Sequence, residues 1–161
     1  MGTEPLHLFG PKGTTLPKWF RSASWGGDIT HSQTGFLQSD LGARLTNYEG
    51  LQLQSSAPER AILESLYLSP KTVSLLEAYD VMDGLRNLRP SLMLSLLQVC
   101  NSYKVKRLFA FMARKLDLPL IRELDLDSLD YGSGVRAIVK NGLYDAHTKL
   151  MLPRELMERV E

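Results

Sequence analysis

Apolar positions change their spacing near residue 56. Before it they fall in short bursts: Leu6, Leu8 and Phe9, then Leu16, Trp19 and Phe20, then Leu45, then Leu51 and Leu53. Leu6-His7-Leu8-Phe9 is predicted to be a strand, closed by the turn Gly10-Pro11-Lys12-Gly13. Leu45-Thr46-Asn47-Tyr48 and Leu51-Gln52-Leu53-Gln54 alternate like half-buried strands about a turn at Glu49-Gly50. Most of the glycines and both tryptophans lie in this stretch, which reads as mostly β.

After residue 56 the spacing becomes helical. Ser56-Ala57-Pro58-Glu59 has the form of a capping box, with a hydroxyl at the N-cap, Pro in the first turn and Glu at N3. Ala61, Ile62, Leu63, Leu66 and Tyr67 then make an apolar face. Ser74-Leu75-Leu76-Glu77 is a second capping box, opening a helix to about residue 85 with Leu75, Ala78, Tyr79, Met82 and Leu85 on one side. Arg89-Pro90-Ser91 starts a third, with Leu92, Leu96, Val99 and Cys100 at buried spacing. A fourth is predicted over 103–116. At 100° per residue its Val105, Leu108, Phe109, Met112 and Leu116 share an arc of about 100°. Beyond Pro119 come a short acidic segment, Gly132-Ser133-Gly134, a strand over 135–140 turned by Asn141-Gly142, a second strand over 148–152 and a final helical turn over 153–160. The pattern predicts an α+β fold in a single domain. It has a β-rich N-terminal third (1–55), a four-helix middle (56–118), and a closing hairpin that joins the sheet, followed by a short helix (119–161).

Composition adds bounds rather than shape. With 161 residues and 43% apolar content the chain can bury one real core or two small ones. No apolar run approaches the roughly 20 residues that span a bilayer. The first residues carry neither a basic n-region nor an apolar h-region, so no membrane partner and a cytoplasmic location are expected. Cys100 is the one cysteine, which excludes an intrachain disulfide and reads as a core thiol.

Charge changes the picture more. The net charge is only +1, yet Arg86, Arg89, Lys104, Lys106, Arg107, Arg114 and Lys115 lie in a stretch, 84–116, that holds no acid. Asp117, Glu123, Asp125, Asp127 and Asp130 follow, against Arg122 alone. On the fourth helix Lys104, Lys106, Arg107, Arg114 and Lys115 all lie outside the apolar arc. Helix faces exposed to water usually mix signs, because opposite charges at i, i+4 stabilise them. An unmixed cationic face suits phosphates or an acidic partner. Lys104, Lys106, Arg107, Arg114 and Lys115 are therefore the candidate binding residues. Arg60 and Arg89 either extend the patch or serve as buried partners of acids such as Glu59 and Asp83.

Catalytic signatures are weak. His7, His31 and His147 show no i, i+4 pairing, and Gly10-Pro11-Lys12-Gly13-Thr14-Thr15 lacks the second glycine and following helix of a phosphate loop. Asp125, Asp127 and Asp130 lack the glycine and terminal glutamate of a calcium loop. Gly132-Ser133-Gly134 is not a nucleophile elbow, and Ser55 and Ser56 have no nearby histidine. No catalytic residue, metal or cofactor is expected. Two alternatives stay open: a metal-dependent nuclease using Asp28, Glu49 and Glu64, and a structural dimerisation module.

Five blocks in order carry a family resemblance. They are Leu16-Pro17-Lys18-Trp19-Phe20; Ser55-Ser56-Ala57-Pro58-Glu59-Arg60-Ala61-Ile62-Leu63-Glu64; Met82-Asp83-Gly84-Leu85 with Leu88-Arg89-Pro90; Cys100-Asn101-Ser102-Tyr103-Lys104-Val105-Lys106-Arg107-Leu108-Phe109; and Asp130-Tyr131-Gly132-Ser133-Gly134-Val135-Arg136. Over about residues 5–155 the chain resembles the AbiEi antitoxins of type IV toxin–antitoxin (abortive infection, phage-defence) systems. Tyr131 and Val135 stand where the family pattern has Leu and Lys. The resemblance implies a non-enzymatic, cytoplasmic antitoxin-like domain that neutralises a nucleotidyltransferase-like toxin, with or without direct contact, and takes part in transcriptional repression through DNA, or contacts RNA. It also implies that the chain corresponds to the family's C-terminal part, with no winged-helix domain ahead of it.

Overall fold

A computed structural model describes residues 5–37, 40–48 and 50–159, with Tyr48 and Leu51 as backbone only. The chain divides into two compact units, Met1–Gln38 and Ser39–Glu161.

In the first unit, β1 (Leu6–Gly10) and β2 (Ile29–Gln33) pair in parallel, Leu6 opposite Ile29 through Gly10 opposite Gln33. Parallel strands need a crossover, and it contains the short helix α1 (Lys18–Ser22). The turn after β1 forms as expected: Gly13 takes φ +83 and donates its N–H to Gln33 Oε1 at 3.1 Å. Phe36 and Leu37 are buried, and the Phe9 and Phe36 rings pack 6.2 Å apart. Neither α1 nor β2 is legible in the sequence. The helix is too short to show a period, and Ile29-Thr30-His31-Ser32-Gln33 has a single apolar side chain.

The second unit opens with the antiparallel hairpin β3 (Ala43–Tyr48) and β4 (Leu51–Ser56). Gly50 donates its N–H to Asn47 Oδ1 at 3.0 Å, while Glu49 lies outside the described residues. Leu45 is 71% and Leu53 50% exposed, so the alternation marks a hairpin standing in solvent rather than a half-buried one.

Helix α2 (Pro58–Leu68) follows, and here the predicted capping box does not form. Ser56 is still paired with Ala43 at the end of β4, so the N-cap falls on Ala57 and no side chain caps the helix. The Ser56 hydroxyl donates instead to Glu64 Oε2 at 2.7 Å. The second box does form: Ser74 Oγ accepts the Glu77 N–H at 3.0 Å and starts α3 (Leu75–Asp83). Helix α4 (Pro90–Val99) buries Met93, Leu96 and Leu97, rotated from the expected face, which leaves Val99 exposed. Helix α5 (Tyr103–Lys115) begins at Ser102, whose Oγ accepts the Val105 N–H.

Helix α2 is the hub, packing on α3, α4 and α5. Ile62, Leu63 and Leu66 from α2 meet a core that also holds Leu108, Phe109 and Met112 from α5. Each such side chain contributes about 1.5–3 kcal/mol on burial. The acidic segment consists of two 3-10 turns, Pro119–Arg122 and Leu126–Ser128, tied down by buried Leu120, Leu124, Leu126 and Leu129.

Strands β5 (Arg136–Ala137), β6 (Leu143–Asp145) and β7 (Leu150–Leu152) form a sheet in the order β5-β7-β6, with β5 parallel and β6 antiparallel to β7. The hairpin is therefore β6 with β7 rather than 135–140 with 148–152: the expected first strand shrinks to the two residues of β5, lies parallel to β7, and the three strands make a sheet of their own among the described residues. Helix α6 (Arg154–Glu158) ends the described chain. The architecture is α+β, with the long helices grouped in the middle and small sheets toward both ends. Among the described residues no helix is long and apolar enough to cross a membrane.

Candidate functional site: the basic helix and the loop it holds

Helix α5 is buried on nearly every side. Every residue from Val105 to Ala113 is buried, including Lys106 at 6% and Arg107 at 2% exposure. The open cationic face expected from the helix angles is therefore absent at these two positions, because residues 130–134 cover it. Lys106 Nζ donates to the Asp130 carbonyl at 3.1 Å and sits 5.7 Å from the Tyr103 ring centre. Arg107 donates from Nε to Tyr131 O (2.9 Å), from Nη1 to Gly134 O (2.8 Å) and Lys149 O (3.3 Å), and from Nη2 to Gly132 O (3.2 Å) and Ser133 O (3.3 Å). A guanidinium has five N–H groups, and each one here meets a main-chain carbonyl.

The other cations follow the same logic. Lys104 Nζ donates to Tyr67 O and Ser69 O, both at 2.6 Å, at the C-terminus of α2. Burial pushes its pKa down, with Arg136 and Lys71 adding to the effect. Lys115 Nζ donates to Met157 O at 3.1 Å in α6. Arg86 donates to Leu116 O at 3.0 Å, just past α5. The last carbonyls of a helix lack intrahelical partners and carry its negative dipole end, so cations belong there. Lys104, Lys106, Arg107 and Lys115 need no acid nearby in sequence because their partners are backbone oxygens.

The held loop is built for this contact. Asp130 accepts the Gly132 N–H at 2.8 Å and the Tyr103 hydroxyl at 3.2 Å. Chiefly through the first bond, its carboxyl sits below the usual range. Gly132 takes φ +68, and a Cβ there would lie 2.8 Å from the Tyr103 ring, so no other residue fits without displacement.

Arg114 differs from its neighbours, since its partner is a carboxylate. It donates to Asp127 Oδ1 at 2.8 Å, and His147 Nε2 lies 3.8 Å from the same oxygen. These three line a cavity of about 340 Å³ together with Arg107, Tyr131 and Lys149. Tyr131 donates its hydroxyl to Leu126 O at 2.6 Å, and burial pushes the phenol up to about 12.

Arg60 and Arg89 are partners of acids. Arg89 Nε and Nη2 reach the two carboxylate oxygens of Glu59 at 3.0 Å each, and the Arg89 N–H adds a third bond at 2.8 Å. Glu59 is 2% exposed, and the Arg89 side-chain bond, ahead of the other causes, lowers its carboxyl from 4.5 to about 2. Arg60 donates to Glu64 Oε1 at 2.8 Å and to Leu41 O at 2.9 Å. Asp83 pairs with Arg86.

Glu64 therefore has one oxygen on Arg60 and the other on Ser56. Of the remaining carboxylates considered for a nuclease, Asp28 belongs to the first unit and Glu49 lies outside the described residues. Among the described residues no three His, Cys, Asp or Glu side chains converge as a metal-holding group. Cys100 is buried, which raises its thiol pKa, with Sγ 3.7 Å from Ser102 O. Asp127, His147 and Lys149 come to the cavity beside Arg114, and no spacing signal in the sequence links them.

Over residues 3–153 the chain matches a family model described as transcriptional regulator, AbiEi antitoxin, type IV toxin–antitoxin system. No curated protein and no solved structure matches it.

Proposed function

The chain belongs to the AbiEi antitoxin family of type IV toxin–antitoxin transcriptional regulators, and on that basis we propose that it neutralises a nucleotidyltransferase-like toxin and helps repress transcription. The observation that carries this reading is the extent of the match, which runs through both units of the chain. In this reading the protein acts by binding, without catalysis of its own.

The α5 cations then divide by role. Lys104, Lys106, Arg107 and Lys115 keep the scaffold closed by holding carbonyls, and Arg60 does so through Glu64 and Leu41. Arg114, at the cavity, and Arg89, whose side chain is 60% exposed, have the freedom to meet DNA or an acidic surface.

Growth on co-expression tests this. Inducing the toxin alone should arrest growth, and adding residues 1–161 should restore it. Arrest that persists with the chain folded and abundant would overturn the reading. Arg114→Glu should weaken rescue or operator-DNA retention at least several-fold with the circular dichroism spectrum unchanged. Rescue and retention both equal to wild type would remove Arg114 from the contact surface.

A further inference from the structure

Both tryptophans lie outside the α5 assembly, in the first unit. Trp19, Phe20 and Trp25 form a cluster with ring centres 5.6 Å (Trp19–Phe20), 4.5 Å (Phe20–Trp25) and 6.3 Å (Trp19–Trp25) apart. Trp25 donates its indole N–H to Phe20 O at 2.8 Å, which fixes the ring. Even so, Trp19 is 67% and Trp25 48% exposed. Large aromatics left in water as a connected group mark a binding surface more often than single exposed residues do.

The charge around the cluster narrows the partner. Lys18 and Arg21 extend from the same short helix as Trp19 and Phe20, and Lys12 lies in the preceding turn; all three are exposed. Among the described residues of this unit the one acid is Asp28, and no ion pair engages Lys12, Lys18 or Arg21. The α5 cations are held on carbonyls or a carboxylate, whereas these three are exposed and form no ion pair among the described residues.

We propose that the Trp19–Phe20–Trp25 cluster binds single-stranded nucleic acid. Bases stack on the two indoles, and the strand's phosphates meet Lys18 and Arg21. Aromatic platforms beside cations bind single strands because every base presents a π face, while a duplex keeps those faces stacked inside. Trp25 is already fixed by its hydrogen bond, so binding orders little that is not ordered beforehand. The proposal does not depend on toxin neutralisation.

The chain's two tryptophans are its own reporters. An oligothymidylate or oligouridylate of roughly 12 nucleotides, titrated into the full chain at low salt, should quench their emission saturably, and a duplex should do so weakly. Trp19→Ala should weaken binding roughly 5- to 150-fold, the range that one lost base stack gives, and Trp19→Phe should restore much of it. Lys18→Gln with Arg21→Gln should lower the slope of log affinity on log salt by about 1.4, about 0.7 for each phosphate contact. These two surface changes leave the fold intact, so they test the idea even if Trp19→Ala perturbs the unit. No quenching of the folded chain, equal affinity for duplex, or affinity indifferent to all these substitutions would overturn the proposal. Binding of an apolar peptide at the cluster without oligonucleotide quenching would overturn it as well.

Discussion

A guanidinium taken out of water must recover its lost hydrogen bonds or destabilise the fold by several kcal/mol. Arg107 recovers all of them from carbonyls, and those carbonyls, drawn together at one point, need the cation in turn. Arg107→Met should lower unfolding stability in urea by about 3–5 kcal/mol, and Arg107→Lys should restore only part of it, having three donors in place of five. A loss below about 1 kcal/mol, the scale of a single ordinary hydrogen bond, would mean that the loop closes without the arginine. The Glu59–Arg89 pair predicts a pH dependence. Glu59 titrates at about 2 in the fold against an ordinary 4.5, so its stabilisation is fully present above pH 4.5 and is lost as pH falls through 2. Removing the guanidinium lets burial raise the Glu59 pKa. Arg89→Met should therefore move acid unfolding to higher pH. Acid-unfolding curves that coincide for variant and wild type would contradict this.

Helix signals differ in how well they survive folding. Ser74 and Ser56 both open capping-box patterns, and only Ser74 caps its helix. Ser74→Ala should cost about 1 kcal/mol and appear as faster amide exchange in the first turn of α3. Unchanged exchange there would mean that the cap carries no weight. The outcome at Ser56 turns on a competitor outside the local pattern, since the β3–β4 pairing holds that residue in a strand. The same reason explains what else sequence showed and hid. Helices α3 and α5 are legible because their apolar spacing runs over several turns. Strand β6 offers only three residues of pairing, and the interior of α5 was unreadable because main-chain oxygens leave no mark in a sequence. Charge patterning in the sequence names seven candidate cations. Their surroundings were missed, apart from the alternative that made Arg60 and Arg89 partners of acids.

At the scale of the whole molecule the two units are unequal. The first has Phe36 and Leu37 as its buried hydrophobic side chains among the described residues, while the second holds the α2–α5 core. The tryptophans report the first unit and the long helices the second. Thermal melts followed by tryptophan emission and by helical circular dichroism should therefore not coincide, the emission changing first. One superimposable transition would show the units melting together. The division falls at residues 38 and 39, whereas composition changes at 56. Part of the reason is that the β3–β4 hairpin is fastened to the helices at its base, where Ala57 donates its N–H to Gly42 O at 2.7 Å. The grip of Arg107 on main-chain oxygens also sets which positions can drift. A side chain that nothing reads is free to change, and Ser133 and Val135 are exposed beside an anchor that ignores them. Across a library of variants, 133 and 135 should accept almost any residue and 107 and 132 almost none. The loop's outer surface can therefore be rewritten without moving its path, which makes it a place to graft a new contact.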